Sequence, residues 1–132
     1  MKLKNKSNLG NTLWERSKKL IPGGNMFLSK RPERFLPGKW PTYYKKSKGC
    51  YVYDLKNKKY VDMIMGIGTN ILGYSHPAVN RSVIKAVKNG TMATLNSLEE
   101  QMLAKELIKM HKWADLAKFA RTGGEANAIA IR

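Results

Sequence analysis

Two rhythms of apolar and polar positions organise this chain. Leu13, Trp14, Ser17, Leu20 and Ile21 fall at helical spacing, Asn11 or Thr12 can cap them, and Pro22-Gly23-Gly24 stops the run. A helix is therefore expected over 11–21. Residues 25–41 hold Pro32, Pro37 and Pro41 with no period, which reads as a long irregular connection. The rhythm then shortens to that of strands over 42–46, 50–54 and 59–64, with turns at Ser47-Lys48-Gly49 and at 55–58. This is an antiparallel meander, in which Tyr43, Tyr44, Tyr51, Tyr53 and Tyr60 are expected as cross-strand packing partners.

Gly66, Gly68 and Gly73 mark a tightly packed or flexible stretch before the helical rhythm returns. Ser75-His76-Pro77 introduces a helix to about Asn89 with Val79, Val83, Ile84 and Val87 on one face, and Gly90 ends it. A further helix starts near Asn96 or Ser97, with Glu99 and Glu100 in its first turn. Leu98, Met102, Leu103 and Leu107 form its inner face, the methionines as core filler. Residues 116–121 read as a short buried strand. Thr122-Gly123-Gly124 makes a turn, and 125–132 is a helix former with no breaker.

Composition narrows the class of protein. The length of 132 residues is that of one domain, and no apolar run approaches the roughly 20 residues of a membrane-spanning helix. Mean hydropathy is −0.47, and the basic N-terminus leads into no hydrophobic stretch of a secretory signal. Cys50 stands alone, which excludes an internal disulfide framework and a cysteine-based metal cluster. The cytoplasm is the default location. The net charge of +16 is uneven: residues 1–60 carry 16 Lys/Arg against 3 acids, and 61–132 carry 9 against 6, giving +13 and +3. Thirteen of those 16 cations are lysines, and diffuse lysine is a solvating charge, whereas base and phosphate reading favours arginine forks. No nucleic-acid partner and no membrane partner are expected.

Two features could carry chemistry. Strand, glycine turn, helix is the arrangement that aims free backbone N–H groups and the positive end of a helix dipole at an anion, usually a phosphate. Thr122, Gly123 and Gly124 fit it, with the threonine hydroxyl as an extra donor. The same residues also suit a plain connection, since the pattern is neither GxGxxG nor a Walker loop. His76 has no acidic or thiol partner at metal spacing, and before Pro77 it reads as a helix cap. No metal site is expected.

Taken in order, the motifs say more than they do singly. They are Leu13-Trp14-Glu15, Ile21-Pro22-Gly23-Gly24, Lys48-Gly49-Cys50-Tyr51-Val52-Tyr53-Asp54, Tyr60-Val61-Asp62, Gly73-Tyr74-Ser75-His76-Pro77, Lys88-Asn89-Gly90-Thr91 and Arg121-Thr122-Gly123-Gly124-Glu125-Ala126. The series resembles the N-terminal part of class III pyridoxal-phosphate aminotransferases, in the glutamate-1-semialdehyde 2,1-aminomutase-like branch, over residues 12–132. The resemblance implies an α/β protein, the N-terminal portion of a fold type I pyridoxal-phosphate (PLP)-dependent transferase. That portion comprises a helix, a small antiparallel meander, further helices and the start of a large domain with a parallel sheet. The implied division is a basic flexible segment over 1–10, an N-terminal segment over 11–100, and the start of the PLP-binding domain over 101–132.

The resemblance also implies a site. Thr122, Gly123 and Gly124 would hold the phosphate of PLP, although position 124 is more often a hydroxyl residue in the family. Ser29 and Arg31 stand near the Ser and Arg that engage the substrate carboxylate in aminomutases. Ile67 occupies the place of a tryptophan lining the substrate pocket. Both departures favour a sister aminotransferase, acting on an amino donor and a carbonyl acceptor, over the mutase itself. No catalytic residue is expected within the chain, because the family's Schiff-base lysine falls beyond residue 132. The resemblance thus implies a fragment of a homodimeric enzyme, inactive alone. The contrasting expectation, from charge and length, is a self-contained non-enzymatic basic binding or regulatory module.

Overall fold

The computed structural model describes residues 9–132. The element order is α1 (Leu9–Leu20), two 3-10 turns (Leu28–Lys30 and Pro32–Arg34), β1 (Tyr44–Lys48), β2 (Tyr51–Asp54), β3 (Lys59–Val61), α2 (Pro77–Asn89), α3 (Leu98–Met110) and α4 (Gly123–Ile131). Two compact units divide near residue 85, and each is described by itself. Most of the segment expected to be flexible, 1–8 of 1–10, lies outside the described residues. Leu9 and Gly10 already belong to α1, so that helix starts ahead of the expected caps.

In the first unit, Trp14 is the one buried large hydrophobic among the described residues, 5% exposed. Its indole lies on Gly24, which has φ of 82°, and a Cβ there would collide with the ring. Its Nε1 donates to Glu33 Oε1 at 2.6 Å. Around it, Asn11 Nδ2 donates to the Gly38 carbonyl at 2.8 Å, and the Ser17 and Tyr43 hydroxyls share a bond of 2.6 Å. The Asn11 side chain therefore serves the 25–43 connection and does not cap α1. That connection is more ordered than its prolines imply, because the 3-10 turns and a Phe35–Trp40 ring stack at 4.4 Å occupy it.

The meander forms as expected in order β1-β2-β3, all antiparallel. Its first turn sits later than expected, at Gly49-Cys50, because Lys48 pairs with Tyr51 and closes a two-residue hairpin with glycine at φ 58°. Strand β3 stops at Val61, not Ile64, where Asp62 takes over the backbone amides that follow. The tyrosines find lysines more than one another. Lys46 lies over the Tyr53 ring at 4.6 Å, Lys59 over Tyr51 at 4.5 Å and Lys58 over Tyr60 at 5.1 Å. Helix α2 has Pro77 at its start and takes its first bond, Asn80 N–H to the His76 carbonyl, at 2.9 Å. The cap is thus the backbone of His76. The Ser75 hydroxyl instead donates to the Ser47 carbonyl.

In the second unit, Ser97 caps α3 by accepting from the Glu99 N–H at 3.2 Å. Two expectations fail there. Met102 is 55% exposed, and Leu98 and Leu103 are also open, so that face is not core among the described residues. Residues 116–121 form no strand, and Leu116 is 89% exposed. A strand exists by pairing, and no described segment pairs with this one. No described helix is long and apolar enough to cross a membrane.

Candidate functional site

The turn into α4 is set by Thr122, whose extended backbone (φ −138°, ψ 157°) makes it the cap. Its Oγ1 accepts from the Glu125 N–H at 3.1 Å and its carbonyl from the Ala126 N–H at 3.0 Å. Glu125 reaches back, Oε2 accepting from the Arg121 N–H at 2.8 Å, with the Arg121 guanidinium 3.9 Å from Oε1. Thr122-Gly-Gly-Glu125 is therefore a capping box moved out by one residue. The Thr-x-x-Glu spacing was legible in the sequence, and it is why α4 begins at Gly123, two residues before the expected start.

The box leaves a usable remainder. Among the described residues the N–H groups of Gly123 and Gly124 have no hydrogen-bond partner, as first-turn amides have none within a helix. The Thr122 hydroxyl accepts one bond and keeps its proton to donate. Both glycines have helical backbone, so their value is space and not left-handed φ. A Cβ on Gly123 would meet nothing within 4 Å, and one on Gly124 only Thr122 Oγ1 at 4.0 Å. Two free amides, a hydroxyl and the positive end of a nine-residue helix face open room. That fits a phosphate group. A larger open hollow of about 530 Å³ runs along α4 past Phe119, Arg121, Ala128 and Ile129, but none of the three turn residues lines it.

The other expected residues lie in the first unit. Ser29 is exposed in the first 3-10 turn. Arg31 joins the two 3-10 turns and lays its guanidinium on Gly23, where any Cβ would collide with it. Its Nε is shielded from solvent with no hydrogen-bond partner, and no carboxylate lies within 4 Å of the guanidinium among the described residues. This is a fixed cation with donors to spare, suited to a carboxylate. Nearby, Glu33 stays charged below the usual carboxylate range, chiefly through the Trp14 indole N–H, with the charges of Lys18 and Arg31 adding. Ile67 sits on the loop after β3, 79% exposed and with φ of 58°.

Sequence reasoning missed two residues of that loop. Asp62 Oδ1 accepts from the Ile64 and Met65 amides at 2.9 and 3.1 Å, and Oδ2 from the Tyr74 hydroxyl at 2.5 Å. Burial works to raise the Asp62 pKa, but those three bonds outweigh it and hold the carboxyl below its ordinary value. The same contact, with burial and the Asp62 charge, pushes Tyr74 up to about 12. An aspartate two residues before an amide in a glycine-rich loop is the sequence signal that was available.

The family model described as aminotransferase class-III matches residues 37–132. The chain is 33% identical over 122 residues to a 3-aminobutyryl-CoA aminotransferase of Cloacimonas acidaminovorans, covering 92% of this chain and 29% of that protein. It is 36% identical over 120 residues to a glutamate-1-semialdehyde 2,1-aminomutase of Methanobrevibacter smithii, covering 91% and 27%. Among solved structures, the PLP internal aldimine form of the Sphingopyxis sp. MTA144 FumI protein superposes with a TM-score of 0.82 at 28% identity, over 92% of this chain and 29% of that one. A β-phenylalanine aminotransferase from Variovorax paradoxus gives 0.82 at 23%, over 92% and 27%, a likeness of fold. The chain thus spans under a third of the length of these relatives.

Proposed function

Since this chain belongs to the class III aminotransferases, we propose that it forms the N-terminal part of a pyridoxal-phosphate-dependent enzyme that moves an amino group between an amino donor and a carbonyl acceptor. The observation that carries the reading is the Thr122–Gly124 turn, with two amides unpartnered among the described residues and a hydroxyl proton before open space. When bound, PLP supplies the electron sink that amino-group transfer requires. The chain's own residues bind and orient. Thr122, Gly123 and Gly124 hold the phosphate, and the α4 dipole stabilises its charge. Glu125 keeps this geometry through its bond to the Arg121 N–H.

On the substrate side, Arg31 supplies a fixed guanidinium for a carboxylate, Ser29 a hydroxyl, and Ile67 an apolar wall. A branched aliphatic wall in place of an aromatic one supports an aminotransferase over a mutase. In this proposal the lysine that binds the cofactor lies outside residues 1–132, the 132-residue chain is inactive alone, and the working enzyme is a cytoplasmic homodimer.

Equilibrium dialysis of PLP against the full-length protein tests the turn. Thr122→Val removes one donor to a charged group and is expected to weaken binding about tenfold. Gly123→Val places a branched side chain in the open space before the amides and is expected to weaken it further. Gly124→Thr is expected to be tolerated or to tighten binding, because the helical backbone there accepts a side chain. Unchanged affinity in Gly123→Val would show the turn to be a connection only.

A further inference from the structure

The loop between β3 and α2 is fastened at its neck. Asp62 holds the amides of Ile64 and Met65 on its near side and accepts the Tyr74 hydroxyl from the far side. Beyond Tyr74 the chain is clamped to the sheet. The Tyr74 N–H donates to the Gly49 carbonyl at 2.8 Å and the Gly49 N–H to the Tyr74 carbonyl at 2.9 Å, while Ser75 Oγ donates to the Ser47 carbonyl at 3.0 Å. Gly73 permits this closure, since a Cβ there would stand 3.1 Å from Gly49 Cα.

Between these ties the backbone is strained. Met65, Gly66, Ile67 and Gly68 all have φ between 47° and 83°. A β-branched residue in that region is a true outlier, and such strain persists only where surrounding bonds over-determine it. Among the described residues no packing offsets it at Ile67, which is 79% exposed.

We propose that Asp62 and Tyr74 are positioning residues, whose bond across the neck of the loop fixes Ile67 as the wall that selects the amino donor. This rests on the reading of Ile67 given above, and the test separates the two. It uses the full-length protein loaded with PLP, the donors L-alanine, β-alanine and γ-aminobutyrate, and amide hydrogen exchange over 63–73. Tyr74→Phe and Asp62→Ala are expected to raise KM for the best of these donors about tenfold, with kcat and PLP affinity within about twofold of the parent. Exchange over 63–73 is expected to quicken about tenfold as the loop opens. Asp62→Asn, which keeps an acceptor for the Ile64 and Met65 amides, recovers part of the KM loss. Asp62→Ala combined with Ile67→Ala costs no more in KM than either alone, because both act through one side chain.

If Ile67→Ala shifts KM while Asp62→Ala and Tyr74→Phe leave it within twofold, the positioning role is wrong and the reading of Ile67 stands. If Ile67→Ala itself leaves KM unchanged, both fall. If no donor turns over, unchanged exchange in Tyr74→Phe overturns the fastening and quickened exchange upholds it.

Discussion

Asp62 and Tyr74 show how much two side chains settle when they share one proton. Tyr74 is pushed up to about 12 by its bond to Asp62, by burial and by the charges of Asp62 and Tyr44, while a free tyrosine ionises near 10. Its folded value lies above its unfolded one, so its contribution to stability is complete below about pH 10 and is lost as pH rises toward about 12. Asp62 has the opposite sign. Its folded value is depressed, so its contribution holds above the ordinary carboxylate range and fades as pH falls through the folded value. Tyrosinate absorbance of the full-length protein checks this. The difference between parent and Tyr74→Phe is expected to titrate late, and Asp62→Asn to bring that late component back toward the ordinary range. A Tyr74 that already ionises at about pH 10 in the parent would show the bond to be absent.

At the scale of the element, the Pro22-Gly23-Gly24 stop does more than end α1. Gly23 admits the Arg31 guanidinium and Gly24 admits the Trp14 indole, so helix, stop and 3-10 turns form one packed piece. Gly24→Ala must strain a positive φ and displace the ring, an overpacking cost of about 1–3 kcal/mol added to the backbone term. Gly38→Ala shares the positive φ but meets nothing within 4 Å, and is expected to cost about 1 kcal/mol. The two thermal midpoints in the full-length protein check this, and equal shifts would mean that the indole contact contributes nothing.

The elements that the sequence made legible are those set by local rules. Apolar period and caps located α2 and α3, and alternation located the meander, because these signals sit within a few residues of the structure they cause. Elements that depend on distant partners were not legible. The β1 turn moved to Gly49-Cys50, where strand pairing and the Tyr74 bridge both place it. The bond from Tyr74 to Asp62 spans 12 residues and leaves no periodic trace. The glycine turn at 122–124 was legible as the entry to a helix, but the Thr122 cap and the reach of Glu125 back to Arg121 join side chains to backbone amides and leave no periodic trace.

At the scale of the whole molecule, the apolar rows left open on α2 and α3 govern how the 132-residue chain behaves alone. Val79, Val83, Ile84 and Val87 on α2, and Leu98, Met102, Leu103 and Met110 on α3, are each at least 46% exposed. Apolar side chains left open in such rows favour association, at roughly 25 cal/mol for each Å² they then cover. Net charge opposes it, but unevenly. Residues 1–60 hold +13 of the total +16, whereas α2 carries +3 (Arg81, Lys85 and Lys88) and α3 carries −1 (Lys105 and Lys109 against Glu99, Glu100 and Glu106). Repulsion is therefore weakest at the α3 row, and what remains elsewhere is screened beyond about 10 Å in 0.1 M salt. The isolated chain is expected to self-associate in light scattering, and to do so more as salt is added. A basic module binding an anionic polymer would show the reverse dependence, its affinity falling steeply with salt. A monodisperse chain at all salt concentrations, melting in one sharp transition, would overturn this expectation.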